Sequence, residues 1–224
     1  MATAAWLGHS AWLVEGKSAI VLIDPFLDEN PMAPCKARDI ARADIVLVSH
    51  DHFDHLGDAP AISKRTGAML VGTFELATAV ASEHGIKSEG MNIGGSLTIG
   101  GVTVHMTPAF HTSGRGQAAG WVVEIDGVRI YHSGDTSLFS DMKLIGDMFR
   151  PDLACLPIGD RFTMGPAAAA RAVDLIRPRI VAPMHYNTWP PIAQDPEKFR
   201  ALVGSAAEVA ILKPGEKLEV KPRA

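Results

Sequence analysis

The segment Val46-Leu47-Val48-Ser49-His50-Asp51-His52-Phe53-Asp54-His55 decides how the rest of this chain is read. Its first three residues are apolar and mostly β-branched, which predicts a buried strand. The six residues that end it carry three histidines and two aspartates. Side chains at the carboxyl end of a strand in an α/β protein are held by a rigid core yet open to solvent, and ligand sites of such folds lie there. Imidazole suits zinc and other first-row transition ions, and carboxylate completes a site or bridges to a second ion. A solvated charge run would be rich in Lys and Glu instead, so this run reads as metal-ligating.

Outward from it, short apolar segments alternate with helical ones, the pattern of layered α/β architecture. Strands are predicted at Ala19 to Ile23, Ile45 to Val48, Met69 to Val71, Val102 to Met106, Trp121 to Ile125, Val128 to Tyr131, Leu153 to Leu156, Ile180 to Ala182 and Val209 to Leu212. Asp126-Gly127 predicts a tight antiparallel hairpin, because a primed turn needs positive φ. Helices are predicted from Phe74 to Glu83, from Pro166 to Ile176, around Pro196 to Val203, and between Ser137 and Met148. No linker divides the chain and no repeat of fixed period is visible, so one domain over 1–224 is expected.

Hydrophobic residues make up 47% and charged residues 21% of the chain, which suits a globular domain that folds by itself. No apolar run approaches the roughly 20 residues that cross a bilayer, and Met1-Ala2-Thr3-Ala4-Ala5-Trp6 lacks the basic flank and apolar centre of a signal peptide. A cytoplasmic protein without a membrane span is expected. The formal net charge is −4 with Lys and Arg scattered along the sequence, so nucleic acid is not an expected partner. Cys35 and Cys155 are too few for a disulfide framework and form no Cys-x-x-Cys pair. They read as a loop thiol and a buried strand thiol.

The run from His50 to His55 has the form His-x-His-x-Asp-His, and in this the chain resembles the metallo-β-lactamase superfamily. The likeness continues through Pro108-Ala109-Phe110-His111-Thr112, His132-Ser133-Gly134-Asp135-Thr136 and Ala182-Pro183-Met184-His185-Tyr186-Asn187-Thr188-Trp189, each after a predicted strand. Within the superfamily the chain resembles metal-dependent hydrolases related to ascorbate-phosphate lactonases, through Trp6-Leu7-Gly8-His9-Ser10, Asp24-Pro25-Phe26 and the stretch from Leu156 to Gly165. The resemblance implies a four-layer αββα sandwich with the site at one edge, between two sheets. It implies that His50, His52 and His111 hold one ion, that Asp54, His55 and His185 hold a second, and that Asp135 bridges both. The implied cofactor is two divalent ions, zinc first, with manganese, nickel or iron as alternatives.

The implied activity is hydrolysis of a small anionic ester, a lactone or a phosphoester, by a hydroxide that the two ions share, with His50, His52, Asp54 and Asp135 closest to the chemistry. A phospholipid or nucleotide phosphodiesterase is the competing enzyme reading. A non-catalytic metal-binding regulatory protein is the competing reading of another class, and the complete set of seven ligands argues against it. No cysteine lies beside a proposed ligand, which disfavours antibiotic hydrolysis, and His52 stands where the diiron oxygen-reducing relatives carry Glu. The expected partner is a small-molecule substrate, and a homo-oligomer is left open.

Further residues carry two readings each. His9 is a site residue or a hydrogen-bonded structural histidine. Asp24 either orients a ligand histidine or closes an Asx-type turn. Asp160 and Thr163 reach the same edge by likeness alone. Tyr186, Asn187 and Trp189 line a pocket or pack, and Arg115 or Arg161 would supply a cation to an anionic substrate. His84, His105 and His132 match no ligand position, and His84 suits a helix carboxyl terminus.

Overall fold

The computed structural model describes residues 1–223. The first half of the chain forms strands β1 (Ala2–Trp6), β2 (Trp12–Glu15), β3 (Ile20–Ile23), β4 (Ile45–Leu47), β5 (Met69–Thr73) and β6 (Ser88–Met91), with helices α1 (Phe53–Leu56), α2 (Ala59–Thr66) and α3 (Phe74–His84). The second half forms β7 (Ser96–Ile99), β8 (Val102–Pro108), β9 (Ala119–Ile125), β10 (Val128–His132), β11 (Leu153–Pro157), β12 (Ile180–Met184), β13 (Glu208–Val209) and β14 (Lys217–Val220), with α4 (Met142–Phe149), α5 (Pro166–Ile176) and α6 (Pro196–Val203).

Two seven-stranded sheets result, in the orders β14-β1-β2-β3-β4-β5-β6 and β13-β12-β11-β10-β9-β8-β7. Each is antiparallel through its first strands and turns parallel, from β3 to β6 in one and from β10 to β13 in the other. The halves thus repeat one architecture although their sequences share no period.

Period-two alternation sorts the strand side chains between layers. In the first sheet Val21, Ile23, Ile45, Leu47 and Val71 pack inward with the second sheet's Val104, Trp121 and Val123. Their neighbours Leu22, Val46, Val48 and Leu70 face outward onto Ile62, Leu76, Ala77 and Val80 of α2 and α3. Helices α4, α5 and α6 cover the second sheet through Ile145, Ala169, Val173, Ile176 and Phe199. Strands buried on both faces explain why the parallel ones read as continuous apolar runs. The architecture is the four-layer sandwich, and among the described residues no helix is long and apolar enough to cross a membrane.

The expected hairpin is present: Val128 pairs with Ile125, and Asp126 and Gly127 both have positive φ, 50° and 78°. Helices α5 and α6 start and stop where predicted, with Asp195 capping α6 through Glu197 N–H at 2.9 Å. Three expectations are corrected. The helix placed between Ser137 and Met148 starts only at Met142, because Ser137 instead donates its N–H to the Phe110 carbonyl at 3.2 Å. The last strand of the second sheet is Glu208–Val209 rather than Val209 to Leu212, since only these two residues pair with β12, at Ile180 and Val181. Strands β1, β2, β6, β7 and β14 and helices α1 and α2 were not anticipated: they are short, and several are Ala-rich or polar at sheet edges.

The chain directions bring one set of strand ends together. Residues following β3, β4, β8, β10, β11 and β12 emerge at the same edge, and the site is built there.

Candidate metal centre

Strand β4 delivers His50 two residues beyond Val48, and His52 caps the short helix α1. His50 Nε2 lies 2.9 Å from His52 Nδ1, and the His111 ring stands 5.0 and 5.1 Å from their rings. Ser49 determines which His50 nitrogen faces inward. Its hydroxyl donates to Asp24 Oδ2 at 2.6 Å and accepts the Nδ1–H of His50 at 3.0 Å, which leaves Nε2 with a lone pair. Burial, with the His55 ring nearby, pushes His50 down to about 2. The His52 Nδ1–H donates to that lone pair, and when His52 carries its proton on Nε2 instead, these three imidazoles offer a donor set for a cation.

Helix α1 turns Asp54 and His55 inward and Phe53 outward. His55 Nδ1–H donates to Asp24 Oδ2 at 2.7 Å, while its Nε2 faces Asp135 Oδ2 at 3.3 Å. His185, the first residue beyond β12, places Nε2 at 3.0 Å from the same Asp135 oxygen and 3.8 Å from Asp54 Oδ2. His111 Nε2 reaches Asp135 Oδ2 at 3.6 Å. Burial alone would lower the His55 pKa, but Asp135 and Asp24 outweigh it and hold it well above the ordinary imidazole range. Burial alone would raise Asp135, and His185 and His55 hold it well below the carboxylate range. Two carboxylates therefore favour a positive charge here, whether a proton or a metal ion. His55 Nε2 and Asp135 Oδ1 are buried without a hydrogen-bond partner, as metal-ligating atoms would be. The residues fit a cation on both sides of Asp135.

His9 joins this cluster. Its Nε2–H donates to Asp54 Oδ2 at 3.0 Å and its Nδ1 accepts from Thr188 Oγ1 at 2.8 Å. Burial, then His185, pushes it down to about 4, so a neutral His9 orients the carboxylate of Asp54. Asp24 fixes the His55 tautomer and accepts the Ser49 N–H at 2.7 Å.

Above these residues lies a cavity of about 490 Å³ walled by Phe53, Phe162, Trp189 and Ile192, with His52, Asp54, His111, Thr112, Asp135 and His185 completing its lining. Trp189 belongs to the wall, but six other candidates do not. Tyr186 turns into the core, stacked on Trp6 at 5.5 Å, and burial raises it to about 12. Arg115 is held by Glu83 at 3.0 Å, and Arg161 lies over the Phe162 ring at 5.4 Å without lining the cavity. Asp160 is exposed and serves its own turn, its N–H donating to the Met164 carbonyl at 3.0 Å. Thr163 and Asn187 likewise shape loops. His84 ends α3, His105 sits 3.7 Å from Glu124 away from the cavity, and His132 is buried with Nε2–H donated to the Ser10 carbonyl at 2.9 Å.

Ser49, Asp51 and Thr188 are positioning residues that the sequence did not reveal. Asp51 Oδ1 accepts from Ser113 Oγ at 3.0 Å and Gly114 N–H at 2.7 Å, strapping the loop of His111 to the loop of His50. Ser49 had a local signal, a hydroxyl directly before His50. Thr188 had none, being 179 residues from its partner His9. Backbone strain concentrates here as well: His9, Asp24, Asp160, Arg161, His185 and Asn187 all have positive φ, and such conformations persist where surrounding structure enforces them. Gly159 lets the His185 carbonyl approach so closely that any Cβ would overlap it.

The buried imidazoles make a pH prediction for metal-free protein. His9, His50, His111 and His132 have folded pKa values below their unfolded value, chiefly through burial. Below about pH 6.5 the unfolded chain binds protons that the folded chain refuses, so stability falls as pH falls. His55 has the opposite sign: its stabilisation is complete below about pH 6.5 and is lost as pH rises above it. Stability of the chelator-treated protein should therefore peak near neutrality. It should fall by at least about 1.4 kcal/mol per pH unit between pH 5.5 and 4.5, the slope of one net proton. Urea unfolding across this range checks it, and a flat profile contradicts the buried neutral imidazoles.

Comparison with known proteins supplies the family. Residues 20–186 match the family model described as the beta-lactamase superfamily domain. The chain is 51% identical to a UPF0173 metal-dependent hydrolase of Thermococcus onnurineus, over 98% of this chain and all of that one. It is 52% identical to another from Pelotomaculum thermopropionicum, over 96% of this chain and 98% of the relative. The structure superposes on Igni18, a metallo hydrolase of the hyperthermophilic archaeon Ignicoccus hospitalis, with TM-score 0.92 and 38% identity over 98% of this chain and 99% of that one. With residues 20–186 matching that family model, about half of its residues identical to these relatives over nearly its whole length, and its fold superposing on Igni18, the chain belongs to the metallo-β-lactamase superfamily, as a metal-dependent hydrolase of the UPF0173 group.

Proposed function

We propose that this hydrolase cleaves the acyl–oxygen bond of a carboxylic ester or lactone at a centre of two divalent ions, His50, His52 and His111 holding one, Asp54, His55 and His185 the other, with Asp135 between. The observation that carries this reading is Asp135 Oδ2, which lies 3.0, 3.3 and 3.6 Å from nitrogens of His185, His55 and His111 and so reaches both clusters. Imidazole mixed with carboxylate suits zinc, with manganese, nickel or iron as alternatives. When bound, such ions acidify a water and draw charge from the oxygen of the bond being cut.

The chain's own residues do the rest. Asp24 and Ser49 hold the His55 and His50 rings with their lone pairs inward. His9 keeps Asp54 ionised and oriented. The aromatic wall thins the water around the reacting bond, which strengthens every electrostatic contact inside. Hydrolysis adds the oxygen of water to the acyl carbon as the bond to the leaving oxygen breaks; the leaving oxygen takes one proton, and the acid formed releases the other. A phosphoester would bring extra charge on its non-bridging oxygens, and neither Arg115 nor Arg161 lines the cavity to meet it. The two unpaired cysteines suit a reducing cytoplasm.

The test is a panel of an aryl acetate, a lactone, a phosphomonoester and a phosphodiester on protein loaded with zinc or manganese. Turnover of the first two above the last two is expected. Faster phosphodiester cleavage would overturn the choice of bond, and no turnover of any of the four by protein with two bound ions would overturn hydrolysis of these bonds altogether.

A further inference from the structure

The geometry points to a substrate whose body is apolar, an acyl chain or ring seated among Phe53, Phe162, Trp189 and Ile192. This rests on the ester reading above and names the class of ester. The cavity of about 490 Å³ is in the size range of sites that enclose small-molecule ligands. Its floor is the histidine and aspartate cluster, and among the described residues no Lys or Arg lines it. An anionic body would therefore have only the centre itself to bind, whereas an apolar body has the whole wall.

The wall is built at a cost to the fold that packing does not repay. Phe53 is 65% exposed and Phe162 is 55% exposed, while the other large side chains around them are mostly buried. They come from separate parts of the chain, Phe53 from α1 and Phe162 from the turn after β11, yet both line one cavity. That turn holds two consecutive non-glycine residues at positive φ, Asp160 at 61° and Arg161 at 40°. A strained turn that presents an exposed phenyl ring to a cavity is the kind of outlier that points to function. Arg161 lies over the Phe162 ring at 5.4 Å and so positions the wall rather than the substrate. Phe26, Phe53 and Trp189 are in mutual contact, with ring centroids 5.8 to 6.0 Å apart, which holds that part of the wall in shape.

The experiment is a series of esters of one alcohol, with acyl chains from acetyl to octanoyl, on the metal-loaded protein. Each added methylene that reaches the wall should raise kcat/KM up to about fourfold, until the cavity is filled. Phe162→Ala and Trp189→Ala should each lower kcat/KM for the octanoyl ester at least tenfold more than for the acetyl ester, and Phe162→Leu should recover part of the difference. Leu144→Ala, an exposed apolar residue on α4 outside the cavity, should change neither. Binding of octanoate against acetate, read from tryptophan fluorescence of the loaded protein, tests the wall without turnover. An enzyme that hydrolyses the acetyl ester but shows no dependence on chain length, and no preference for octanoate, overturns the apolar class alone. Absence of acetyl-ester turnover with two bound ions overturns the ester reading instead, and the octanoate measurement still decides whether the wall binds an apolar body.

Discussion

Asp135→Asn should lower hydrolysis by more than about 100-fold, beyond the roughly 10–100-fold range typical of residues that only orient metal ligands. The reason is geometric: one carboxylate oxygen faces His55, His111 and His185, so its loss removes negative charge from both clusters at once. The amide keeps the shape but withdraws the charge that holds His55 well above the ordinary imidazole range. Metal content after saturation and dialysis should drop below that of the parent. Asp24→Asn removes an acceptor behind His55 and should fall inside the 10–100-fold range. His105→Ala, whose ring meets Glu124 far from the cavity, should leave both metal content and rate unchanged. A fully active Asp135→Asn protein with two ions per chain would sink the shared-carboxylate arrangement.

Metal loading should raise the melting temperature in two resolvable steps. A ligand that binds only the folded state at about 100 times its Kd stabilises by about 2.7 kcal/mol per site. For a domain of this size 1 kcal/mol moves Tm by about 2–4 °C, which gives roughly 5–11 °C for each ion. The folded chain supplies donors that the unfolded chain does not assemble: His50 Nε2 and His52 Nδ1 already lie 2.9 Å apart, and His55 Nε2 and Asp135 Oδ1 are buried without partners. His50→Ala should abolish one step and His185→Ala should weaken the other. A single step that saturates at one zinc or manganese ion per chain, by elemental analysis, would replace the two-ion centre by a mononuclear one.

Much of this fold is legible in residue order because its signals are local. The strand from Ile45, the Asp126-Gly127 hairpin and the helix from Pro166 announce themselves by periodicity, turn chemistry and caps acting within a few residues. Strands β1 and β6 do not, since Ala2–Trp6 and Ser88–Met91 carry little β-branched surface and are strands through their partners. The repetition of one half by the other is invisible for the same reason: it lies in strand direction, not in residue identity.

The site divides along the same line. Residue types at His50, His52, Asp54 and His55 announced metal chemistry by themselves, because so many titratable groups directly after an apolar strand have no packing reason to be there, whereas His111, Asp135 and His185 joined the set only through the resemblance to the superfamily. Which of their neighbours face the cavity was decided only by tertiary structure. Positive φ at His185 and Asn187, 53° and 59°, breaks the alternation of the strand beyond β12, so Tyr186 turns into the core against Trp6 while Trp189 reaches the cavity. Arg115 and Arg161 are near the site in sequence and outside its lining in space. The pairing of His9 with Thr188 and Asp54 joins residues 179 and 45 positions apart. The chemical capacity of a side chain is a property of its type and is written in the sequence. Its direction depends on backbone dihedrals that packing from distant segments imposes, and those exist only once the sheets have closed on each other.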